Sequence, residues 1–354
     1  MGTLACTLAF MLGGAESPIK SDEEVVFYPT YARQLEDSSW RLLIDGAIYE
    51  PERSSLRRAA ALALLRRLLG LTPGESQSEI FEQRARAFLV DNERGKTISV
   101  RLGGKVYEAG ASGANGHFTA TLELDAATVE RLRRAEADAA GWLGFQAVTR
   151  PADRRTFAGR VQLVGPVGRS VISDVDDTIK ISHVQDRKAL LAHTFLRPFE
   201  PVPGMAAAYR RWAEAGATFH YVSASPWQLY GPLEEFRRAE GFPAGSFHMK
   251  RFRLKDASAL TLLGPQEQYK TEVIQRILAD FPRRRFTLVG DSGEQDPEIY
   301  AAIARNHPAQ IERILIRNAG GKGAEPARFQ KAFEGVPVER WRVFERAEQL
   351  PQQL

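Results

Sequence analysis

From residue 170 to residue 317 short apolar runs alternate with segments of helical period, and no other feature of the chain constrains its fold as tightly. Residues 170–173, 217–222, 246–252, 285–289 and 311–317 read as strands, and residues 205–215, 230–240, 271–281 and 297–306 read as helices. Strands joined through helices rather than tight turns make a parallel sheet with helices on both faces. Ligands of such sheets bind beyond the carboxyl ends of the strands. The residues at those ends are therefore the first candidates for chemistry.

The upstream half has a different texture. Strands are expected at 25–28, 40–48, 97–102, 105–109, 117–124, 144–148 and 157–163, with Gly-rich turns at 103–104 and 110–116. One helix is expected at 54–69, with Ser54 or Ser55 as its N-cap and Gly70 as its stop. This gives a β-rich N-terminal domain with helices over 25–165, a sandwich in outline, followed by an α/β domain over 168–350. A chain of 354 residues is long enough for both cores. The leucines of the helix cover a broad face, with Arg66 and Arg67 partly opposite. Packing on its own domain with solvated arginines is the expectation, and a membrane surface is the alternative.

A net charge of +4 without any run of five or six like charges argues against a nucleic-acid partner and favours anionic substrates or membrane surfaces. Cys6 is the one cysteine, which excludes an intrachain disulfide and a Cys-based zinc site. It lies in an uncharged stretch at 2–15 that reads as a signal-peptide core, too short to span a bilayer and lacking Lys or Arg before it. Residues 1–15 are thus expected to direct export, periplasmic or secreted. The alternative is a cytoplasmic protein peripheral to the membrane.

At the strand ends the chemistry converges. The first strand ends in Asp174 and Asp176, with Thr178 just beyond; the second ends in Ser223. Lys270 opens the apolar-faced helix at 271–281, and the strand at 285–289 runs into Gly290-Asp291, with Asp296 five residues later. Carboxylate, hydroxyl, ammonium and carboxylate at one edge suit phosphoryl transfer. A phosphate monoester and an aspartate nucleophile are both anionic, so attack needs a Mg²⁺ ion held by carboxylates from different strand ends. A lysine and a serine hydroxyl hold the remaining phosphate oxygens. A second carboxylate must protonate the leaving alkoxide and then activate water. For that role Asp176 has to start protonated, and crowding by negative charge is expected to raise its pKa.

Asp174 to Thr178, Ser223, Lys270 and Asp291 resemble the four motifs of the haloacid dehalogenase superfamily. More narrowly, SDVDDTIK (173–180), YVSASPWQLY (221–230) and GDSGEQDPEIY (290–300) resemble the fungal actin-patch phosphatidate phosphatase family and its bacterial relatives. The likeness covers 170–320, with a weaker match upstream. It implies a Rossmann-like fold, with Asp174 as nucleophile and Mg²⁺ ligand. Asp176 would be general acid/base, its backbone carbonyl touching the metal. Ser223 would bind the phosphoryl group, and Lys270 would steady that group and Asp174. Asp291 would complete the metal site, directly or through water, Asp296 would stand behind the ligands or be an alternative metal carboxylate, and Thr178 would order the loop. The implied substrate is phosphatidate or a related lipid phosphate. Only residues 181–203 separate the first motif from the next helix, so a small lid would leave the site open to a membrane or equally to a phosphoprotein. The alternatives are a phosphatase for a soluble phosphomonoester or phosphoprotein, and a non-catalytic membrane-binding protein.

Other residues carry plainer expectations. Asp177 reads as solvated or as a turn former, and His183 and His193 as surface positions of the lid, with contact to substrate as the alternative. His220 reads as a satisfied core histidine, and Trp227 and Tyr230 as packing residues, with lining of the pocket as the alternative. Arg251 and Arg253 read as surface cations with an acidic head group as the alternative partner, and Arg283 to Arg285 as solvated. The string GDSG at 290–293 also occurs around serine-protease nucleophiles, but a preceding strand and a following Glu294-Gln295-Asp296 favour a metal-binding turn.

Overall fold

The computed structural model describes residues 17–51, 55–72, 74, 78–251, 267–320 and 325–354. The expected leader at 1–15 with Cys6, the candidate cap Ser54 and the Phe252-Arg253 pair lie outside them. Among the described residues two sheets form, one of ten strands and one of six.

The N-terminal half runs β1 (Ser17–Pro18), β2 (Glu24–Tyr28), β3 (Thr30–Gln34), β4 (Trp40–Pro51), α1 (Ser55–Leu69), α2 (Glu79–Arg86) and β5 (Val90–Asn92). It continues with β6 (Lys96–Leu102), β7 (Lys105–Ala111), β8 (His117–Leu124), α3 (Ala126–Glu136), β9 (Trp142–Ala147) and β10 (Ala158–Val164). The long β4 is the hub, pairing antiparallel with β2, β3, β5 and β8. Pro29 separates β2 from β3, because proline has no N–H to give a ladder. Its carbonyl accepts instead from Phe247 N–H (2.9 Å), across the boundary between the two halves. Helices α2 and α3 each begin on a side-chain cap: Ser78 accepts from Phe81 N–H (3.1 Å) and Asp125 from Thr128 N–H (2.7 Å).

The C-terminal half runs β11 (Arg169–Ser173), α4 (Arg187–Phe195), α5 (Met205–Glu214), β12 (Thr218–Pro226), α6 (Tyr230–Ala239) and β13 (Ser246–Lys250). After it come α7 (Glu267–Asp280), β14 (Arg285–Asp291), α8 (Asp296–Asn306), β15 (Ile311–Arg317), α9 (Pro326–Ala332) and β16 (Trp341–Phe344). All six strands are parallel, in the order β13-β12-β11-β14-β15-β16. Successive residues feed opposite cores: Val171, Val289 and Leu315 join one cluster with α5 and α6. Ile172, Leu288 and Ile314 join the other with α7, α8 and α9. That two-sided burial is why the strands read as continuous apolar runs. Each large apolar side chain so buried contributes about 1.5–3 kcal/mol.

The helices α1 and α2 depart from expectation. Leu65, Leu69, Phe81, Ala85 and Phe88 share a core with Leu191 and Phe195 of α4. Arg84, itself buried, donates to the carbonyls of His193 (3.3 Å) and Thr194 (2.7 Å) and lies 3.8 Å from the Phe199 ring centroid. This helical pair therefore packs on the lid of the C-terminal half. A 3.6-residue period says that a face is buried, not which half buries it.

Candidate active site

Asp174 follows β11, and its N–H donates to Val289 O (2.9 Å), so the backbone is held by the adjacent strand. The chain then turns through Asp177, whose φ of +51° is one that Asp tolerates better than most residues. The Asp177 carboxylate accepts from the N–H groups of Ser182 (2.8 Å), His183 (2.9 Å) and Val184 (2.7 Å). Arg317 donates to its carbonyl (2.6 Å). Asp177 is thus buried and organises the loop, not a solvated residue. Within this loop Thr178 Oγ1 donates to Asp174 Oδ2 (3.1 Å).

The other Asp174 oxygen, Oδ1, lies 2.9 Å from Lys270 Nζ. That ammonium also meets Asp296 Oδ1 (2.7 Å) and Glu294 Oε2 (3.0 Å). Asp291, ending β14, accepts from Gly293 N–H (2.5 Å) through Oδ1. Its Oδ2 is buried without a hydrogen-bond partner among the described residues. Asp296 reaches in close because residue 290 is glycine: a Cβ there would sit 2.3 Å from Asp296 Oδ2. One carboxylate oxygen each from Asp174, Asp291 and Asp296 lie within 4.8 Å of one another.

Four buried or nearly buried carboxylates (Asp174, Asp291, Glu294, Asp296) thus face one ammonium, Lys270. Burial, then the neighbouring carboxylates, pushes Asp291 well above the usual carboxylate range; burial does the same to Asp174 against the pull of Lys270. Burial alone would lower Lys270, but Asp174, Asp296 and Glu294 outweigh it and raise it well above the usual lysine value. The site is short of positive charge, and an orphaned carboxylate oxygen points at the deficit. Hard oxygen donors with this surplus of negative charge fit a divalent cation of the Mg²⁺ or Ca²⁺ kind.

Asp176 stands apart from this triad. Its Oδ1 meets Lys180 Nζ (2.7 Å) and accepts from Ser182 Oγ (2.6 Å), while Oδ2 accepts from Ser225 Oγ (3.0 Å) and weakly from Ser223 Oγ (3.4 Å). The Asp176 carboxylate is not in the cluster of Asp174, Asp291 and Asp296, and one expectation is corrected here: its pKa is not raised. Burial does push it up, but Lys180 and the hydrogen bonds from Lys180, Ser182 and Ser225 hold it at about 2. Sequence reasoning attended to the surrounding carboxylates and missed Lys180, which a tight turn brings back beside Asp176. The backbone carbonyl of Asp176 accepts no backbone hydrogen bond among the described residues. Ser223 lies where β12 breaks register against β13, between Ser223 and Pro226, and its Oγ accepts from Ser225 N–H (3.0 Å). Asp176, Ser225 and Glu294 line a small cavity whose apolar wall includes Leu190 and Leu191 of α4 and Leu229.

The structure accounts for the remaining candidates. His193 is buried and its ring lies 4.9 Å from that of exposed His183. His220 is buried, with Nδ1 2.8 Å from Ser246 Oγ, and burial lowers its pKa to about 3. Trp227 and Tyr230 pack against the N-terminal half: Trp227 lies 5.1 Å from the His117 ring and 5.8 Å from that of Tyr49, and Tyr230 lies 5.2 Å from Tyr28. Arg251 pairs with Asp45 (3.1 Å) across the same boundary. Arg284 is buried, contrary to expectation, and donates to Gly165 O, Val167 O, Arg169 O, Ser170 Oγ and Thr218 Oγ1. Ser292 of the GDSG string is buried and accepts from Ala319 N–H (3.1 Å), in a turn rather than a nucleophile's pose.

Comparison with known proteins bears on the C-terminal half. A Saccharomyces cerevisiae protein, Phosphatidate phosphatase APP1, is 37% identical over 158 residues, which is 44% of this chain and 26% of the yeast protein. An uncharacterized Schizosaccharomyces pombe protein is 30% identical over 168 residues, 46% of this chain and 27% of its own. The chain therefore spans about a quarter of the length of these curated relatives. A crystal structure of D,D-heptose 1,7-bisphosphate phosphatase from Burkholderia Thailandensis aligns with 51% of this chain and 94% of its own, at 16% identity and a TM-score of 0.26. Residues 169–318 match the family described as Phosphatidate phosphatase APP1, catalytic domain, and it is this catalytic domain that the site-bearing part of the chain resembles.

Proposed function

We propose that the chain is a Mg²⁺-dependent phosphatase that hydrolyses phosphatidate or a related lipid phosphate to the alcohol and inorganic phosphate. The observation that carries this reading is Asp174, whose two oxygens are fixed by Thr178 and Lys270 beside Asp291 and Asp296. A carboxylate so fixed is oriented for attack, and oriented attack lowers the entropic part of the barrier. Asp174, Asp291 and Asp296 would hold the ion, with the carbonyl of Asp176 a further donor. Bound there, a divalent cation supplies neutralisation of the anionic phosphate and nucleophile.

The chain's own residues do the rest. Asp174 attacks phosphorus and becomes an aspartyl-phosphate, which water then hydrolyses. Ser223 and Ser225 donate to Asp176, and these hydroxyls are the donors that phosphoryl oxygens would take. Lys270 keeps its charge at the centre of the cluster and stabilises the transferring group. Asp176, held ionised by Lys180 and its hydroxyl donors, would take up a proton as the anionic phosphoryl group arrives and draws those donors away. It would give that proton to the leaving alkoxide and then take one from the attacking water. The lipid substrate is supported by the resemblance to the fungal catalytic domain. Rates of phosphate release from phosphatidate in mixed micelles and from small phosphate esters test the reading. Release is expected to be faster from the lipid, abolished by chelation and restored by Mg²⁺. Release from small esters alone would remove the lipid; no Mg²⁺-dependent release from either would remove the enzyme.

A further inference from the structure

The geometry points to the groove between α1 and α4 as the surface that docks this protein on an anionic phospholipid bilayer, an inference that rests on the lipid-phosphate reading above. Helix α1 carries arginine at 57, 58, 66 and 67 and no carboxylate. Its leucines outnumber what one interior can cover: Leu65 and Leu69 are buried against the lid, while Leu56 is 82% exposed and Leu64 46% exposed. A helix apolar on more than one face needs a second apolar neighbour.

Beside those leucines lies a groove of about 820 Å³. Leu64, Leu191 and Leu196 contribute to its floor, and Arg67, Arg187 and Lys188 stand exposed around it, with no carboxylate among the described lining residues. None of these three cations forms an ion pair with another described residue. The nearest acidic residue in sequence, Asp186, uses its carboxylate to cap α4, accepting from Lys188 N–H (2.9 Å) and Ala189 N–H (3.1 Å). An apolar floor ringed by cations that have no ion-pair partner among the described residues is complementary to acyl chains under anionic head groups. A purely acidic peptide would satisfy the ring and leave the leucines exposed, so the bilayer is the better match. Leu191 also lines the small cavity that holds Asp176 and Ser225, on the other side of α4. A bilayer seated on the groove is thus one helix away from the phosphate site.

The experiment is co-sedimentation of the full chain with phosphatidylcholine vesicles, with and without phosphatidylserine, which has no phosphomonoester and cannot be bound as substrate. Pelleting is expected with the anionic vesicles and is reduced by salt. In the exposed-site variant Arg67→Glu/Arg187→Glu/Lys188→Glu the partition should fall roughly a hundredfold or more, since three cations near an anionic surface contribute about 3 kcal/mol. Leu64→Glu should weaken it too, and unchanged melting curves would show that both variants fold. Equal pelleting with neutral and anionic vesicles, or unchanged binding by the triple variant, overturns the proposal. If the parent ignores vesicles yet releases phosphate from detergent-dispersed phosphatidate, the surface is wrong and the enzyme stands. If it binds vesicles through the groove but releases no phosphate, the surface stands and the enzymatic reading fails.

Discussion

Replacing Arg284 by Met tests how the site-bearing strand is anchored. The guanidinium donates to three carbonyls, Gly165 (2.8 Å), Val167 (2.6 Å) and Arg169 (2.6 Å), and to Ser170 Oγ (2.9 Å) and Thr218 Oγ1 (3.1 Å). Methionine keeps much of the apolar stem, so the packing loss is small and the hydrogen bonds dominate. Gly165 and Val167 are partly or fully exposed, and their carbonyls can turn to water. Ser170 is buried, but its Oγ keeps Thr218 Oγ1 at 2.6 Å, and Thr218 Oγ1 also lies 3.5 Å from Arg169 O, so these groups lose a charged donor and retain a neutral one. Exchanging a charged donor for a neutral one at Arg169 O, Ser170 Oγ and Thr218 Oγ1 costs about 1 kcal/mol each, less what is regained by no longer burying a charge. The net loss is about 1–3 kcal/mol, a measurable share of the 5–15 kcal/mol typical of a domain. Urea unfolding followed by far-UV circular dichroism measures it. A midpoint shift equivalent to less than about 0.5 kcal/mol, the range of an ordinary surface substitution, would refute the reasoning.

Two further perturbations follow from the same contacts. Lys180→Met should remove the partner that helps hold Asp176 at about pKa 2. A carboxyl lowered on folding stabilises above its unfolded value and loses that contribution as pH falls through its folded one. The parent–variant stability gap in chelating buffer should therefore narrow by on the order of 1 kcal/mol between about pH 7 and about pH 3, and a gap that widens toward acid would count against the pairing. Trp227→Ala removes the ring packed against His117 and Tyr49, next to the Ser223–Pro226 turn. It should cost about 3–5 kcal/mol in stability and raise KM for substrate more than it lowers kcat, whereas an effect on kcat alone would separate this contact from the phosphate-binding serines.

The strand-to-helix alternation was legible because both faces of the parallel sheet are buried, which leaves apolar runs at β11, β12, β14 and β15. The site was legible for a related reason: Asp174, Ser223 and Asp291 stand at or near the ends of those runs, where a sequence can be read residue by residue. What escaped depends on turns and on packing between distant segments. Lys180 and Ser182 reach Asp176 because Asp177 adopts a left-handed backbone, and no spacing rule announces that. Ser225 lies two residues past the expected phosphate ligand, in a segment whose register breaks. Arg284, flanked by two other arginines, resembles a solvated turn until the carbonyls of residues 165–169 are seen around it. The helical pair α1 and α2 shows the limit of amphipathicity, since its pattern is satisfied equally by either half of the chain.

The central claim is that Asp174 is the nucleophile of a metal-assisted phosphoryl transfer, and phosphate release from phosphatidate by Asp174→Asn at saturating Mg²⁺ tests it most directly. The carboxamide preserves shape and can still accept from Thr178, so the fold should survive while turnover falls by about 10⁴-fold or more. Turnover within about tenfold of the parent would contradict the assignment, because an effect of that size is within what loss of a positioning contact alone produces.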